Sequence, residues 1–129
     1  RASKSYKDAV KRCPNGMRAE IKYDGERIQI HKEGDSFKCY SRNLKEHLEW
    51  KLVEVKKYLP QATSASKIIL DGEILLQSKD GVPLPFGTLN KHKKGGFDDA
   101  TVCVYVFDIL MLESKSLMRE EKFWKIMSM

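Results

Sequence analysis

The residues Glu20-Ile-Lys-Tyr-Asp-Gly-Glu-Arg27 combine side chains that could carry out nucleophilic chemistry. Alternation along a strand puts Glu20 and Lys22 on one face, and a turn at Asp24-Gly25 would bring Arg27 back beside Lys22. A lysine amine is unreactive at its ordinary pKa of about 10.4, but desolvation and nearby cations lower that pKa and free the lone pair. The pattern predicts a nucleophilic lysine at position 22, and the alternative is a surface hairpin with a solvated lysine.

The elements around this segment are predicted from hydrophobic spacing and turn residues. Alternation, broken at Asp24-Gly25 and at 33–35, predicts a three-stranded antiparallel meander over 17–23, 27–32 and 37–41, with Ile21 and Tyr23 entering the core. Two apolar runs predict central strands over 67–76 and 101–112. Apolar residues at helical spacing predict helices over 5–13 and 46–59, the second of which ends at Pro60. A further helix is predicted over 120–127, and glycines and prolines predict a loop over 80–99. The chain is therefore predicted to be α+β, with antiparallel sheets flanked by helices.

Composition narrows the possible classes of protein. The chain has 129 residues, 41% of them hydrophobic, with 8 glycines and 4 prolines, which excludes collagen-like and low-complexity chains. No stretch approaches the roughly 18 apolar residues of a membrane span. The 3 cysteines form no CxxC pair and the 3 histidines lack ligand spacing, so we predict an intracellular protein with no zinc site. The net charge of +6 gives a weak indication of a polyanionic partner.

Four segments occur in an order that resembles the motifs of covalent nucleotidyltransferases, the superfamily of DNA ligases, RNA ligases and RNA capping enzymes. They are Lys22-Tyr-Asp-Gly-Glu-Arg27, Tyr40-Ser-Arg-Asn43, Ile69-Leu-Asp-Gly-Glu73 and Val104-Tyr-Val-Phe-Asp108. The first matches the nucleotide-attachment pattern Lys-x-Asp-Gly-x-Arg. The first motif, together with Cys13-Pro-Asn-Gly-Met17 and Pro83-Leu-Pro-Phe-Gly-Thr-Leu89, is similar to eukaryotic ATP-dependent DNA ligases of the DNA ligase III type and their poxvirus relatives.

The resemblance implies a reaction, its cofactors and its site residues. Lys22 would attack the α-phosphate of ATP and hold AMP, which would then pass to the 5′-phosphate of a DNA nick before the nick is sealed. ATP and Mg²⁺ are the implied cofactors. The implied contacts are Glu20 with the adenine amino group, Arg27 and Arg42 with ribose or phosphate, Glu73 with ribose, and Phe107 stacked on adenine. No residue is assigned as a metal ligand.

Some of these residues have structural interpretations that stay open. Arg42 could pair with a surface carboxylate. Phe107 lies in an apolar strand, where alternation places it on the face of Cys103 and Tyr105, and it could belong to the core. Asp71 precedes a glycine, which is typical of a turn, and is left out of the site. The basic segment Lys91-His-Lys-Lys94 could contact DNA phosphates or form a solvated loop.

The resemblance also sets expectations for the whole protein. Residues 1–129 would form part of an adenylation domain, with the OB-fold and the N-terminal DNA-binding domain outside this chain. The expected partners are nicked double-stranded DNA and a DNA-repair scaffold protein bound through regions outside the chain, with no membrane. The expected roles are DNA repair, replication and recombination in the nucleus, with the mitochondrion as a further location. The alternatives are an RNA ligase or capping-type enzyme, and a catalytically silent nucleic-acid-binding module.

Overall fold

One antiparallel sheet organises the chain, and a computed structural model describes it over residues 3–17, 19–92 and 99–118. The strand order is β2-β1-β3-β4-β5. The strands are β1 (Glu26–Glu33), β2 (Ser36–Tyr40), β3 (Lys67–Ser78), β4 (Ala100–Leu112) and β5 (Lys115–Ser116). The helices are α1 (Tyr6–Arg12), α2 (Glu49–Ala62) and α3 (Thr88–His92). This arrangement confirms the predicted α+β class. None of the helices in the described part of the chain is long and apolar enough to cross a membrane.

The core lies between one face of the sheet and α2. Ile28 and Ile30 of β1 and Ile74 and Leu76 of β3 are almost completely buried there. The face of α2 that covers them carries Leu52, Val55 and Leu59. Of the four residues whose helical spacing predicts this face, Leu48 lies before the helix and is 56% exposed. Each fully buried aliphatic side chain contributes about 1.5–3 kcal/mol relative to exposure. This packing fixes which face of β1 and β3 points inward.

The opposite face of the sheet carries the polar residues of β1 and β3. Because side chains alternate along a strand, burial of Ile28 turns Arg27 to the other face. The register pairs Arg27 with Glu73 and Gln29 with Asp71, so these four side chains share one face. The core on one side therefore places a charged cluster on the other.

The prediction that residues 17–23 form the first strand of a meander is wrong. Residues 17–25 form no strand where they are described, and Ile21, predicted to be buried, is 75% exposed. The reason is that β1 has β2 on one edge and β3 on the other, so no edge remains for this segment. Tyr23 instead stacks on Tyr105 of β4, with ring centroids 4.5 Å apart.

The helix limits also differ from the prediction. α2 begins at Glu49 rather than at residue 46, because the preceding segment pairs with β2: the His47 N–H donates to the Cys39 carbonyl at 2.9 Å. Pro60 lies inside the last turn of α2 instead of closing it. The predicted loop over 80–99 contains α3, and residues 93–98 lie outside the described part. The helix predicted over 120–127 also lies outside it.

Three predicted elements, two central strands and the first helix, are confirmed with small changes at their ends. The central strands run over Lys67–Ser78 and Ala100–Leu112. The first helix is α1, where the Ser5 hydroxyl accepts from the Asp8 N–H at 3.2 Å and caps the N-terminus.

A buried ion pair joins β1 to α2 on the core side, and a hydrogen bond to the same carboxylate joins β1 to α3. The Lys51 ammonium of α2 donates to Glu26 Oε2 at 2.5 Å, and its side chain is only 6% exposed. The Asn90 amide of α3 donates to Glu26 Oε1 at 3.2 Å. Glu26 thus holds α2 and α3 against the first residue of β1.

We expect Lys51→Met to lower the free energy of unfolding by about 3 kcal/mol, because it leaves a partly buried carboxylate without its cation. Lys56→Met is the matched control, since Lys56 forms an exposed pair with Glu49 on the same helix, and it should cost less than about 1 kcal/mol. Urea unfolding of both variants measures the difference. Equal losses would contradict a structural role for the Lys51–Glu26 pair.

Candidate functional site

A cavity of about 1190 Å³ lies on the polar face of the sheet, at the start of β1. It is bounded by the 20–25 segment, β1, the loop after β2, β3, β4 and the loop before α3. All six residues predicted from the sequence line it: Glu20, Lys22, Arg27, Arg42, Glu73 and Phe107. The fold therefore brings together side chains that are up to 87 positions apart in the chain (from Glu20 to Phe107). Their roles stay predictions.

Lys22 lies in the extended segment that leads into β1. Its side chain is exposed on the cavity wall, and no group among residues 3–17, 19–92 and 99–118 forms an ion pair or a hydrogen bond with it. The next residue, Tyr23, is anchored on Tyr105, so the backbone at Lys22 is held while its amine stays available.

Gly25 fixes this segment against β3. A Cβ at position 25 would lie 2.5 Å from the Ile74 carbonyl oxygen, a distance that no side chain tolerates. The Gly25 N–H donates to Glu73 Oε1 at 3.2 Å. Only glycine allows this close approach, and the predicted Asp24-Gly25 hairpin turn is replaced by a direct entry into β1.

Arg27 is held by a carboxylate beneath the cavity. Its Nε donates to Asp71 Oδ1 at 2.9 Å, and its Nη2 donates to Asp71 Oδ2. These hydrogen bonds, followed by the charge of Asp71, raise the pKa of Arg27 above its ordinary value. The guanidinium group is therefore permanently charged at the cavity wall.

The structure corrects the interpretation of Asp71-Gly72 as a turn. Both residues lie within β3, and Asp71 is only 3% exposed. A Cβ at Gly72 would lie 2.7 Å from the Tyr105 carbonyl oxygen, so the glycine allows close packing of β3 on β4. The sequence did not predict Asp71 as part of the site, although this residue lies within the Ile69-Leu-Asp-Gly-Glu73 motif.

Arg42 reaches the cavity from the loop that follows β2. The Ser41 N–H donates to the Lys45 carbonyl at 2.8 Å, and the Leu44 N–H donates to the Ser41 carbonyl at 2.9 Å, which closes the loop tightly. No carboxylate in the described ranges pairs with Arg42. Its guanidinium group is thus available on the cavity side.

A β-bulge places Phe107. Val106 pairs with Gly72 and Asp108 pairs with Asp71, so Phe107 has no partner residue in β3. This extra residue breaks the strict alternation predicted for β4, and both Val106 and Phe107 line the cavity. Phe107 is half-buried there rather than enclosed in the core.

Two other residues of the site, Phe86 and His47, were not predicted. Phe86 lines the cavity mouth with 64% of its surface exposed, and its N–H donates to Asp24 Oδ2 at 3.4 Å. A His47 ring nitrogen lies 3.0 Å from the Arg27 carbonyl oxygen. The only signal in the sequence was the place of Phe86 within the 83–89 segment.

The described ranges contain no group of three or more His, Cys, Asp or Glu side chains arranged to hold a metal ion. Two carboxylates at this site are engaged by protein groups: Glu73 accepts from the Gly25 N–H, and Asp71, beneath the cavity, accepts from Arg27.

Comparison with known proteins decides the family. The profile of the family described as "ATP dependent DNA ligase domain" matches residues 1–124. The chain belongs to this family.

Relatives within the ATP-dependent DNA ligase family are closely similar in sequence. DNA ligase 3 of Dictyostelium discoideum is 67% identical over 100 residues, which cover 77% of this chain and 8% of the relative. The DNA ligase of fowlpox virus is 49% identical over 111 residues, which cover 84% of this chain and 20% of the relative. The chain thus spans a fifth or less of the length of these curated relatives.

Solved ligase structures share the fold. The ligase domain of LigD from M. tuberculosis matches with a TM-score of 0.64 and 21% identity, over 84% of this chain and 35% of that chain. A mycobacterial DNA ligase D complexed with ATP and MES matches with a TM-score of 0.59 and 22% identity, with the same coverage. At this identity the likeness shows the ligase-domain fold alone.

In this ligase-family chain the carboxylate of Asp108 destabilises the folded state, because it is partly buried and lies opposite the carboxylate of Asp71 in the register of β4 and β3. Burial raises the pKa of Asp108, and the charges of Asp71 and Glu20 raise it further. The folded state therefore binds a proton more tightly than the unfolded state, and stability falls as the pH rises from about 3.8 through the folded pKa.

We expect Asp108→Asn to raise the melting temperature at pH 7, and this gain should vanish as the pH falls below the unfolded pKa. Glu113→Gln is a control in which the melting temperature should change in the opposite direction, because hydrogen bonds from Ser66 lower the pKa of Glu113. It should lower the melting temperature at pH 7, again with a difference that shrinks in acid. Thermal unfolding between pH 3 and pH 7 measures both. An Asp108→Asn gain that is independent of pH would contradict the assignment.

Proposed function

We propose that this chain supplies the nucleotide-binding cavity of an ATP-dependent DNA ligase, in which Lys22 becomes covalently adenylated. The observation that carries the proposal is that Lys22, Arg27, Glu73 and Phe107 line one cavity. Membership of the ATP-dependent DNA ligase domain family supports it.

The chemistry of the cavity wall suits ATP. Its volume of about 1190 Å³ has room for a nucleotide. Arg27 and Arg42 offer planar donors that match phosphate oxygens, while Glu73 offers acceptors to ribose hydroxyls and Glu20 to the adenine amino group. Phe107 offers an aromatic face to the base. A neighbour in fold was solved with ATP, which agrees with this choice of nucleotide.

In the proposed first step the Lys22 amine attacks the α-phosphorus of ATP. A P–N bond forms, the P–O bond to the departing pyrophosphate breaks, and the nitrogen releases a proton to solvent. Negative charge grows on the phosphoryl oxygens, and the fixed guanidinium groups of Arg27 and Arg42 would lower the barrier by stabilising that charge. Mg²⁺ is proposed to arrive with the triphosphate, whose oxygens are the ligands this ion prefers.

The following steps extend the proposal to the whole protein. AMP would pass from Lys22 to the 5′-phosphate of a nick in double-stranded DNA, and the 3′-hydroxyl would then displace AMP and seal the strand. The names of the relatives, DNA ligase 3 and poxvirus DNA ligase, support DNA as the polynucleotide. Roles in repair, replication and recombination, a nuclear or mitochondrial location and a scaffold partner belong to the same proposal.

The test is covalent labelling with ATP that is radiolabelled at the α-phosphate. We expect label that survives denaturation and is released by acid, because a phosphoramidate is acid-labile. Lys22→Arg should abolish the label, whereas Lys38→Arg, an exposed lysine of β2 outside the cavity, should keep it.

Other outcomes of this experiment separate the alternatives. Labelling from GTP in preference to ATP would indicate a capping-type enzyme, and transfer to nicked RNA instead of nicked DNA would indicate an RNA ligase. Salt-dependent DNA binding with no covalent label from either nucleotide would indicate a silent binding module. Each of these results would contradict the proposed function.

A further inference from the structure

A buried carboxylate beneath the cavity has no part in the proposed reaction. Asp71 lies in the middle of β3 and is 3% exposed, whereas the Arg27 side chain above it is 50% exposed. Burial of an ionised carboxylate is costly unless a cation with good hydrogen-bond geometry compensates for it. Both oxygens of Asp71 accept from Arg27, so the pair meets that condition.

The two hydrogen bonds constrain the orientation of Arg27. A guanidinium group has five N–H donors in one plane, and the contacts through Nε and Nη2 use two of them. Three donors remain, and the Arg27 side chain is half-exposed at the cavity wall. An arginine side chain without such an anchor keeps rotamer entropy, which a ligand would have to overcome.

The position of Glu73 gives Asp71 a second effect. Glu73 is the residue directly opposite Arg27 in the register, while Asp71 lies two residues along the same face of β3. Without Asp71, Arg27 would still face Glu73 directly across the register, and a pair between them would occupy both groups. With Asp71 present, Arg27 bonds beneath the cavity, and within the described ranges Glu73 accepts from the Gly25 N–H and not from Arg27.

We propose that Asp71 is a positioning residue that orients the Arg27 guanidinium toward the nucleotide and keeps it from pairing with Glu73. This inference rests on the proposed function, because the nucleotide is the ATP of the adenylation step. Asp71 touches no reacting atom, and its effect on ATP passes entirely through Arg27.

A double-mutant cycle tests this dependence on Arg27. The rate of label transfer to Lys22 is measured in single turnover against ATP concentration for Asp71→Asn, Arg27→Ala and the double variant. We expect each single change to raise the half-saturating ATP concentration by roughly tenfold or more, and the double variant to be no worse than Arg27→Ala alone. Losses that multiply in the double variant would overturn the proposal.

Glu33→Gln provides a matched control, since Glu33 is an exposed carboxylate of the same strand as Arg27, pairs with Lys67 and does not line the cavity. It should leave the half-saturating ATP concentration of the wild type and of Arg27→Ala unchanged. Asp71→Glu is the second variant in case Asp71→Asn does not fold: it keeps the ion pair but displaces the guanidinium. We expect Asp71→Glu to raise the half-saturating ATP concentration as well, and an unchanged ATP dependence would overturn the proposal.

The experiment distinguishes failure of the proposed function from failure of the proposed role of Asp71. Absence of any adduct in the wild-type protein overturns the proposed function and this inference with it. A wild-type adduct together with multiplying losses overturns the role of Asp71 alone.

Discussion

The antiparallel register between β1 and β3 is the constraint on which the site depends. Ile28 and Ile30 must enter the core, so Arg27 must face the cavity opposite Glu73 and next to Asp71. A slip of one residue would exchange the two faces of β1 and place a guanidinium group in the core. The large cost of that exchange ties the chemistry of the cavity to the same hydrophobic burial that stabilises the fold.

Glu26 and Arg27 show how this constraint is used on both faces of the sheet. They are consecutive residues of β1, and each is bonded to a charged partner on its own side: Glu26 to Lys51 of α2, and Arg27 to Asp71 of β3. The backbone between them is thus fixed from both sides, immediately after the segment that carries Lys22. A nucleophile and its surrounding cations gain from this rigidity, because positions held before the reaction need no reorganisation during it.

Much of this architecture could be predicted from local pattern. The apolar runs of β3 and β4, the helical spacing of Leu52, Val55 and Leu59, and the order of the motifs identified the central strands, the face of α2 and the six residues that line the cavity. The errors came from features that depend on tertiary contacts. Residues 17–23 alternate like a strand, but both edges of β1 are already occupied.

Two further features could not be read from sequence spacing. Asp71-Gly72 has the composition of a turn, but the glycine is required by the nearby Tyr105 carbonyl in a continuous strand. The bulge at Phe107 depends on how β4 pairs with β3, which no alternation within β4 reveals. Pairing between distant strands, rather than propensity within one of them, decides both cases.

The most direct test of the central claim is a crystal structure of the protein after reaction with ATP. We predict AMP joined to Lys22 Nζ within the cavity at the start of β1, with adenine against Phe107 and ribose within hydrogen-bond distance of Glu73. A nucleotide bound elsewhere, for example in the cleft between α2 and β4 that Val55, Leu59 and Val104 line, or an adduct on another lysine, would contradict the account.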